Sequence, residues 1–289
     1  MRAKLFLLAA CTLIMACSSD DDKPEPNPEL KIKKFIRMVY NTETNQNYTL
    51  TRTFDESGKP ILQTEETTND AIYREFTYNS NILISERIRS YQNNPVIVND
   101  VFHYNSNNEI DSITSKSSQG DDYDTMIFEH FPNKITYNRG QYVGGEYLYN
   151  ANGVITEINT VGDISNSSTT ITYASDNISQ IIIRNFNGQT LTDTQTVSFQ
   201  YDNGLNVLFP YFQNNYFNST IGEYHYFLTG SIDYLSKNNY TQITYTNSDN
   251  SNHDYTITKN TTYDANGYPI SSEVKKDNVL IEEHIYEYY

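Results

Sequence analysis

Tyr147-Leu148-Tyr149-Asn150-Ala151-Asn152-Gly153-Val154-Ile155 is the stretch whose reading decides the fold. Tyr147 and Tyr149 are two residues apart, so on a strand they share one face. Gly153 stands where a tight turn needs a positive φ, and the preceding Asn tolerates the same region. Val154-Ile155 then opens a return strand, which makes the passage the corner of a β-hairpin.

The same outline recurs along the chain. Thr261-Thr262-Tyr263-Asp264-Ala265-Asn266-Gly267-Tyr268-Pro269-Ile270 is the second clear copy. Phe76-Thr77-Tyr78-Asn79, Phe102-His103-Tyr104-Asn105, Ile171-Thr172-Tyr173-Ala174 and Phe199-Gln200-Tyr201-Asp202 follow it. Weaker copies centre on Phe54, His130, Tyr226 and Tyr245. Gly204 is expected at positive φ, as are Gly153 and Gly267. One hairpin cannot cover its own face and must stack on its neighbours. Ten such anchors imply around twenty strands, and open twisted sheets seldom exceed about ten before they curl or close. The expected fold is all-β: an antiparallel meander of tandem hairpins curled into a large barrel-like sheet.

Composition agrees. The chain holds 26 Tyr, 13 Phe and no Trp, with 37% hydrophobic residues and a mean hydropathy of −0.64. Tyrosine combines a broad apolar ring with a wet hydroxyl and suits a sheet covered on one face and hydrated on the other. A transmembrane barrel is disfavoured, because Thr64-Glu65-Glu66-Thr67-Thr68-Asn69-Asp70 breaks the alternation a lipid-facing strand needs.

The N-terminus reads as a bacterial lipoprotein signal. Arg2 and Lys4 precede an apolar run, Leu5 to Ala16, too short to span a bilayer but of signal-peptide length. Ile14-Met15-Ala16-Cys17 resembles a lipobox, so residues 1–16 are expected to be removed and Cys17 acylated. Cys11 is the lesser candidate, since it would leave too short a core. Ser18, Ser19, Asp20, Asp21 and Asp22 resemble the surface-export signal of Bacteroidetes lipoproteins, and a proline-spaced stretch follows. Residues 17–29 are read as a tether and residues 30–289 as a single domain. The expected location is the outer membrane, lipid-anchored and exposed at the cell surface.

With two cysteines in all, the mature domain has no thiol, which excludes thiolate metal sites and thiol nucleophiles. The 36 acidic residues outnumber the bases, so nucleic acid is not an expected partner. His103, His130, His225, His253 and His284 are scattered without ligand-like spacing, and no cofactor is expected. Asp121-Asp122-Tyr123-Asp124 and Asn247-Ser248-Asp249-Asn250-Ser251-Asn252 are oxygen-rich but lack calcium-loop spacing and read as solvated turns.

The Tyr-Asp-x-x-Gly hairpins, the closing Tyr263 to Pro269 and Leu235-Ser236-Lys237-Asn238-Asn239 resemble Bacteroidetes lipoproteins of unknown function with a porin-like fold. They are more distantly similar to the Tyr-Asp repeats of Rhs-type shells. The resemblance implies architecture and carries no catalytic residues.

One segment interrupts the repeat. Residues 205–222 hold Phe209, Tyr211, Phe212, Tyr216 and Phe217, the densest aromatic cluster of the chain. It is read either as a ligand-facing loop or as a plug across one end of the sheet, and burial favours the plug. The expected function is a non-catalytic surface lipoprotein binding a glycan, peptide or partner protein. The alternatives are a hydrolase with paired carboxylates and a structural component of the envelope.

Overall fold

The computed structural model describes residues 30–40, 47–68, 70–80, 82–90, 97–118, 122–140, 143–162, 165–209, 236–249 and 251–289. The strands are β1 (Ile32–Val39), β2 (Tyr48–Phe54), β3 (Pro60–Thr67), β4 (Ala71–Asn79), β5 (Ile82–Ser90), β6 (Ile97–Tyr104), β7 (Ile110–Ser117), β8 (Asp122–Phe131) and β9 (Lys134–Arg139). They continue as β10 (Val143–Tyr149), β11 (Ile155–Val161), β12 (Ser165–Ala174), β13 (Asn177–Asn187), β14 (Thr190–Leu205), β15 (Asn238–Asn247), β16 (Tyr255–Tyr263), β17 (Pro269–Lys276) and β18 (Val279–Tyr288). Each pairs antiparallel with its sequence neighbours, and β1 also pairs with β18. The 18-stranded sheet is therefore a closed barrel with no free edge.

The repeat builds one rim of this barrel, called here the near rim. Turns after β2, β6, β10 and β16 use one device. Asp55 Oδ1 accepts from the amides of Ser57 and Lys59, Asn105 Oδ1 from Asn107 and Glu109, Asn150 Oδ1 from Asn152 and Val154, and Asp264 Oδ1 from Asn266 and Tyr268. The short acceptor folds the backbone around itself, and the residue at the tightest point takes positive φ: Gly58, Asn108, Gly153 and Gly267. Gly204 differs from expectation. It lies within β14 outside the positive-φ set, and its missing side chain leaves room for the Tyr263 ring, whose hydroxyl donates to Asp202 at 2.6 Å. Tyr245 differs too: it sits near the opposite end of β15 rather than at a hairpin corner. Tyr226 lies outside the described residues.

Three tyrosines at the near-rim ends of even strands tie neighbouring strands together. The hydroxyl of Tyr78 donates to the Pro60 carbonyl at 2.9 Å, Tyr104 to Leu83 at 2.8 Å and Tyr288 to Pro269 at 2.7 Å. In each case a residue near the end of an even strand reaches the first or second carbonyl of the strand before it. The register also slips at the anchors: the pairing skips Ile61 in β3, Ile84 in β5, Asp111 in β7, Thr156 in β11, Ser179 in β13, Thr241 in β15 and Ile270 in β17. A bulge adds local twist and bend. Repeated around the near rim, it supplies the curvature that closure requires.

Alternation sorts the two faces. Phe102, Phe128, Tyr147, Ile158, Ile171, Ile181, Val197, Phe199 and Ile243 are buried and pack into one cluster, joined by the half-buried anchors Tyr78, Tyr104, Tyr149, Tyr173 and Tyr201. A wall one strand thick buries side chains where they converge, on its concave side. The convex positions are polar: Thr49, Thr51 and Thr53 on β2, Thr194, Thr196 and Ser198 on β14, Thr256, Thr258 and Asn260 on β16. No helix among the described residues is long and apolar enough to cross a membrane, and these convex rows do not form the apolar band of a lipid-spanning barrel.

The join between β1 and β18 carries a buried ion pair. Arg37 reaches Glu282 through Nε at 2.8 Å and Nη2 at 2.5 Å, and His284 Nε2 lies 3.0 Å from the same carboxylate. Phe35 packs edge-on against His284, with ring centroids 5.3 Å apart. Arg52 reaches Gln63 on the neighbouring wall. Burial pushes the Glu282 carboxyl up, but its hydrogen bond with His284 and the charge and hydrogen bonds of Arg37 outweigh that, holding it below the usual carboxylate range.

Glu282→Leu leaves Arg37 buried without its carboxylate and is expected to cost about 3–5 kcal/mol in urea unfolding, whereas Arg37→Met with Glu282→Leu recovers most of it. Because the folded Glu282 pKa is lowered, its contribution is complete above the unfolded carboxylate pKa and is lost as pH falls through the folded value. The stability gap between wild type and Glu282→Leu is therefore expected to narrow below about pH 4.

Candidate functional site

On the convex face, strand register aligns two rows across β8 to β11. The first is Ile127, Asn138, Gly144 and Val161, and the second is Glu129, Thr136, Glu146 and Asn159. Gly144 has no side chain, so the first row dips at its centre. The result is a depression of about 530 Å³, lined by Ile127, Glu129, Thr136, Asn138, Val143 and Val161 with the two glycines at its floor. Ile127 and Val161 are 54% and 56% exposed, and Val143 between them is 40% exposed.

The floor is closed from inside. Tyr137 on β9 lies opposite Gly145 on β10, and a Cβ at Gly145 would stand 2.8 Å from the Tyr137 ring. The aromatic ring covers the glycine and packs on Tyr147 with centroids 5.3 Å apart. The depression is thus a groove in the outer wall, separated from the aromatic core by one ring.

Its polar edge bears on the hydrolase alternative. Asn159 Nδ2 donates to Glu146 at 3.1 Å and to Glu157 at 2.9 Å, which brings two carboxylates beside one amide. Lys134 bonds Glu146 at 2.9 Å. That bond, with the one from Asn159, holds the Glu146 carboxyl below its ordinary range against a small opposing effect of burial. A general acid for glycosyl transfer needs its pKa raised, not lowered. Glu146, paired with Lys134 and Asn159, is not placed as such an acid.

The residues singled out by sequence are placed as follows. Cys17, Ser18, Ser19, Asp20, Asp21 and Asp22 lie outside the described residues, as do Tyr211, Phe212, Tyr216 and Phe217. Phe209 is half-buried at the end of the described interruption. Just before it, Asn206 Nδ2 donates to the Ser236 carbonyl at 2.9 Å, and Val207 and Leu208 pack against Ile32, Phe35, Phe54, Tyr268 and Tyr286. Residues 207–208 therefore reach from β14 to the walls around β1 and bury themselves at the near rim. In the 247–254 turn, Asn247 Oδ1 accepts from the Asp249 amide and Asp254 Oδ1 from the Asn247 amide, so these oxygens organise their own backbone. No cluster suited to a metal ion occurs among the described residues.

Two features escaped the sequence reading. The Gly144-Gly145 pair inside a strand was a legible sign of a close backbone approach. The Arg37, Glu282 and His284 cluster left no local sign, since its members are far apart in the chain. A Cβ at Gly145 would also collide with the Asn159 carbonyl oxygen, so Gly145→Ala is expected to cost about 1–3 kcal/mol or more by displacing both the Tyr137 ring and the β11 backbone, more than Gly144→Ala, as read by thermal unfolding of the two variants.

No protein-family model matches the sequence, and neither does any curated protein. Among solved structures the chain is similar to a porin-like protein from Bacteroides uniformis, with 15% identity, a TM-score of 0.43, and coverage of 91% of this chain and 99% of that one. A porin-like protein from Bacteroides vulgatus is similar at 10% identity and a TM-score of 0.40, covering 90% and 99%. The TcdB2-TccC3-TEV structure is similar at 11% identity and a TM-score of 0.31, covering 83% of this chain and 14% of that one.

Proposed function

We propose that the protein is a lipid-anchored lipoprotein of the outer membrane, displayed at the cell surface, that binds a glycan, peptide or partner protein without chemical turnover. The convex groove over Gly144 carries this reading: exposed Ile127 and Val161 flank hydrogen-bonding Asn138, Thr136 and Glu129 on a rigid sheet. Apolar contacts supply affinity and a few fixed polar groups supply orientation. The anchor rests on the lipobox-like Ile14-Met15-Ala16-Cys17 and the acidic run behind it. A polar convex wall suits a barrel held in water by a lipid rather than one embedded in it.

Two measurements test this. Labelled palmitate is expected in the wild-type protein and absent from Cys17→Ser; equal labelling of both, or of neither, contradicts the anchor. Glycan and peptide arrays are expected to return a ligand whose affinity falls about tenfold or more, about 1.4 kcal/mol, in Ile127→Asp and Val161→Asp. A ligand insensitive to both substitutions places recognition elsewhere.

A further inference from the structure

The near rim is not uniform around its circumference. Every bulge pushes one extra residue out of the ladder, and the identity of that residue changes with position. On β7, β11, β13 and β15 it is Asp111, Thr156, Ser179 and Thr241. On β17, β3 and β5 it is Ile270, Ile61 and Ile84, which are 42%, 41% and 36% exposed. β17 and β3 flank β18, β1 and β2, and β5 lies two strands beyond β3. Tyr289, 50% exposed, follows β18 in the same arc.

The chain enters the barrel in the middle of this arc. Leu30 packs on the cluster beneath it, and the Tyr289 amide bonds the Lys31 carbonyl at 3.1 Å. The polypeptide before residue 30, which holds Cys17, therefore leaves from the arc where the extra residues are isoleucines. Lys31 precedes β1, Lys33 and Lys34 lie within it and Lys59 closes the turn after β2, interleaved with Asp55, Glu56, Asp264 and Glu287, the last 4.0 Å from Lys34 Nζ. Lys33 Nζ lies 5.8 Å from the centre of the Tyr289 ring. The far rim mixes both signs, with Glu66, Asp70, Asp249, Asp254 and Asp277 beside Arg139, Lys275 and Lys276.

We infer that this arc is a docking surface for the lipid bilayer, so that the barrel leans on the membrane with Ile61, Ile84, Ile270 and Tyr289 at the interface. Branched apolar side chains and a tyrosine sink into the headgroup boundary, while long lysines place their stems on the apolar level and their ammonium groups at anionic phosphates. A short tether makes the contact intramolecular, so a small patch suffices. In the ring of strands β10 stands opposite β1. The groove over Gly144 consequently faces away from the membrane, where a ligand can reach it.

This inference rests on the lipid-anchor reading, and its test separates the two. The protein has no tryptophan, so single reporters can be introduced into the full lipoprotein as Ile61→Trp, Ile270→Trp, Thr156→Trp and Thr241→Trp. Each variant is reconstituted on vesicles of phosphatidylcholine and phosphatidylglycerol, with and without brominated acyl chains. Flotation of the protein with the vesicles reports the anchor alone. Bromolipid is expected to quench the reporters at 61 and 270 several-fold more than those at 156 and 241. A floating protein with equal quenching at all four positions, or none, overturns the docking surface and leaves the anchor standing. Failure to float overturns the anchor. Sedimentation of the anchor-bearing protein in detergent as a dimer that Ile61→Asp dissociates would assign the arc to a second copy and overturn the lipid assignment.

Discussion

The pairing of β1 with β18 is the constraint on which the rest of the structure depends. Without it the sheet has two edges, a row of unpaired amides on each, and no reason to hold its concave face together. The join is specified at several levels. Backbone register runs from Ile32 opposite Tyr288 to Val39 opposite Glu282, Tyr289 donates to the Phe54 carbonyl at 2.6 Å, and Tyr40 donates to Glu283. The Arg37 and Glu282 pair adds selectivity more than net stability: two charges taken out of water return little energy, but a slipped register would strand them in the core.

Closure then sets the polarity of the wall. Around β6 to β15 the concave face is buried mainly as aromatic and branched residues, around β1, β2, β3 and β18 it also buries Arg37, Arg52, Gln63, Glu282 and His284, and the convex face is rich in threonine, serine, asparagine and charged groups. A membrane-spanning barrel has the opposite arrangement, with a polar lumen and an apolar exterior. Among the described residues, two groups of exposed apolar side chains lie on different sides. One is the groove over Gly144, and the other is the arc of bulged isoleucines around β1.

Much of the architecture was legible because it is periodic. The aromatic-x-Tyr anchors marked the even strands, and Asn or Asp plus Gly marked the corners, as Asn150 and Gly153 show. Gly204 misled because glycine serves close approach as well as turns, and only the Tyr263 ring above it tells the two apart. Tyr245 misled because tyrosine also fills concave positions away from the rim, where it stacks on Tyr255 with centroids 4.7 Å apart. The bulges were invisible: they depend on which residue of the partner strand is skipped, a property of pairing rather than of composition. The groove was half legible in Gly144-Gly145, but its walls come from β8, β9 and β11, which only the register brings side by side.

Amide hydrogen exchange of β1 and β18 tests the account most directly, because an edge strand leaves alternate amides open to water and a paired one does not. The closed barrel predicts that consecutive amides from Phe35 to Met38 and from Glu283 to Tyr286 exchange as slowly as those of β12 and β13. Fast exchange at every second amide of these two strands, with β12 and β13 protected, would show an open sheet and contradict it.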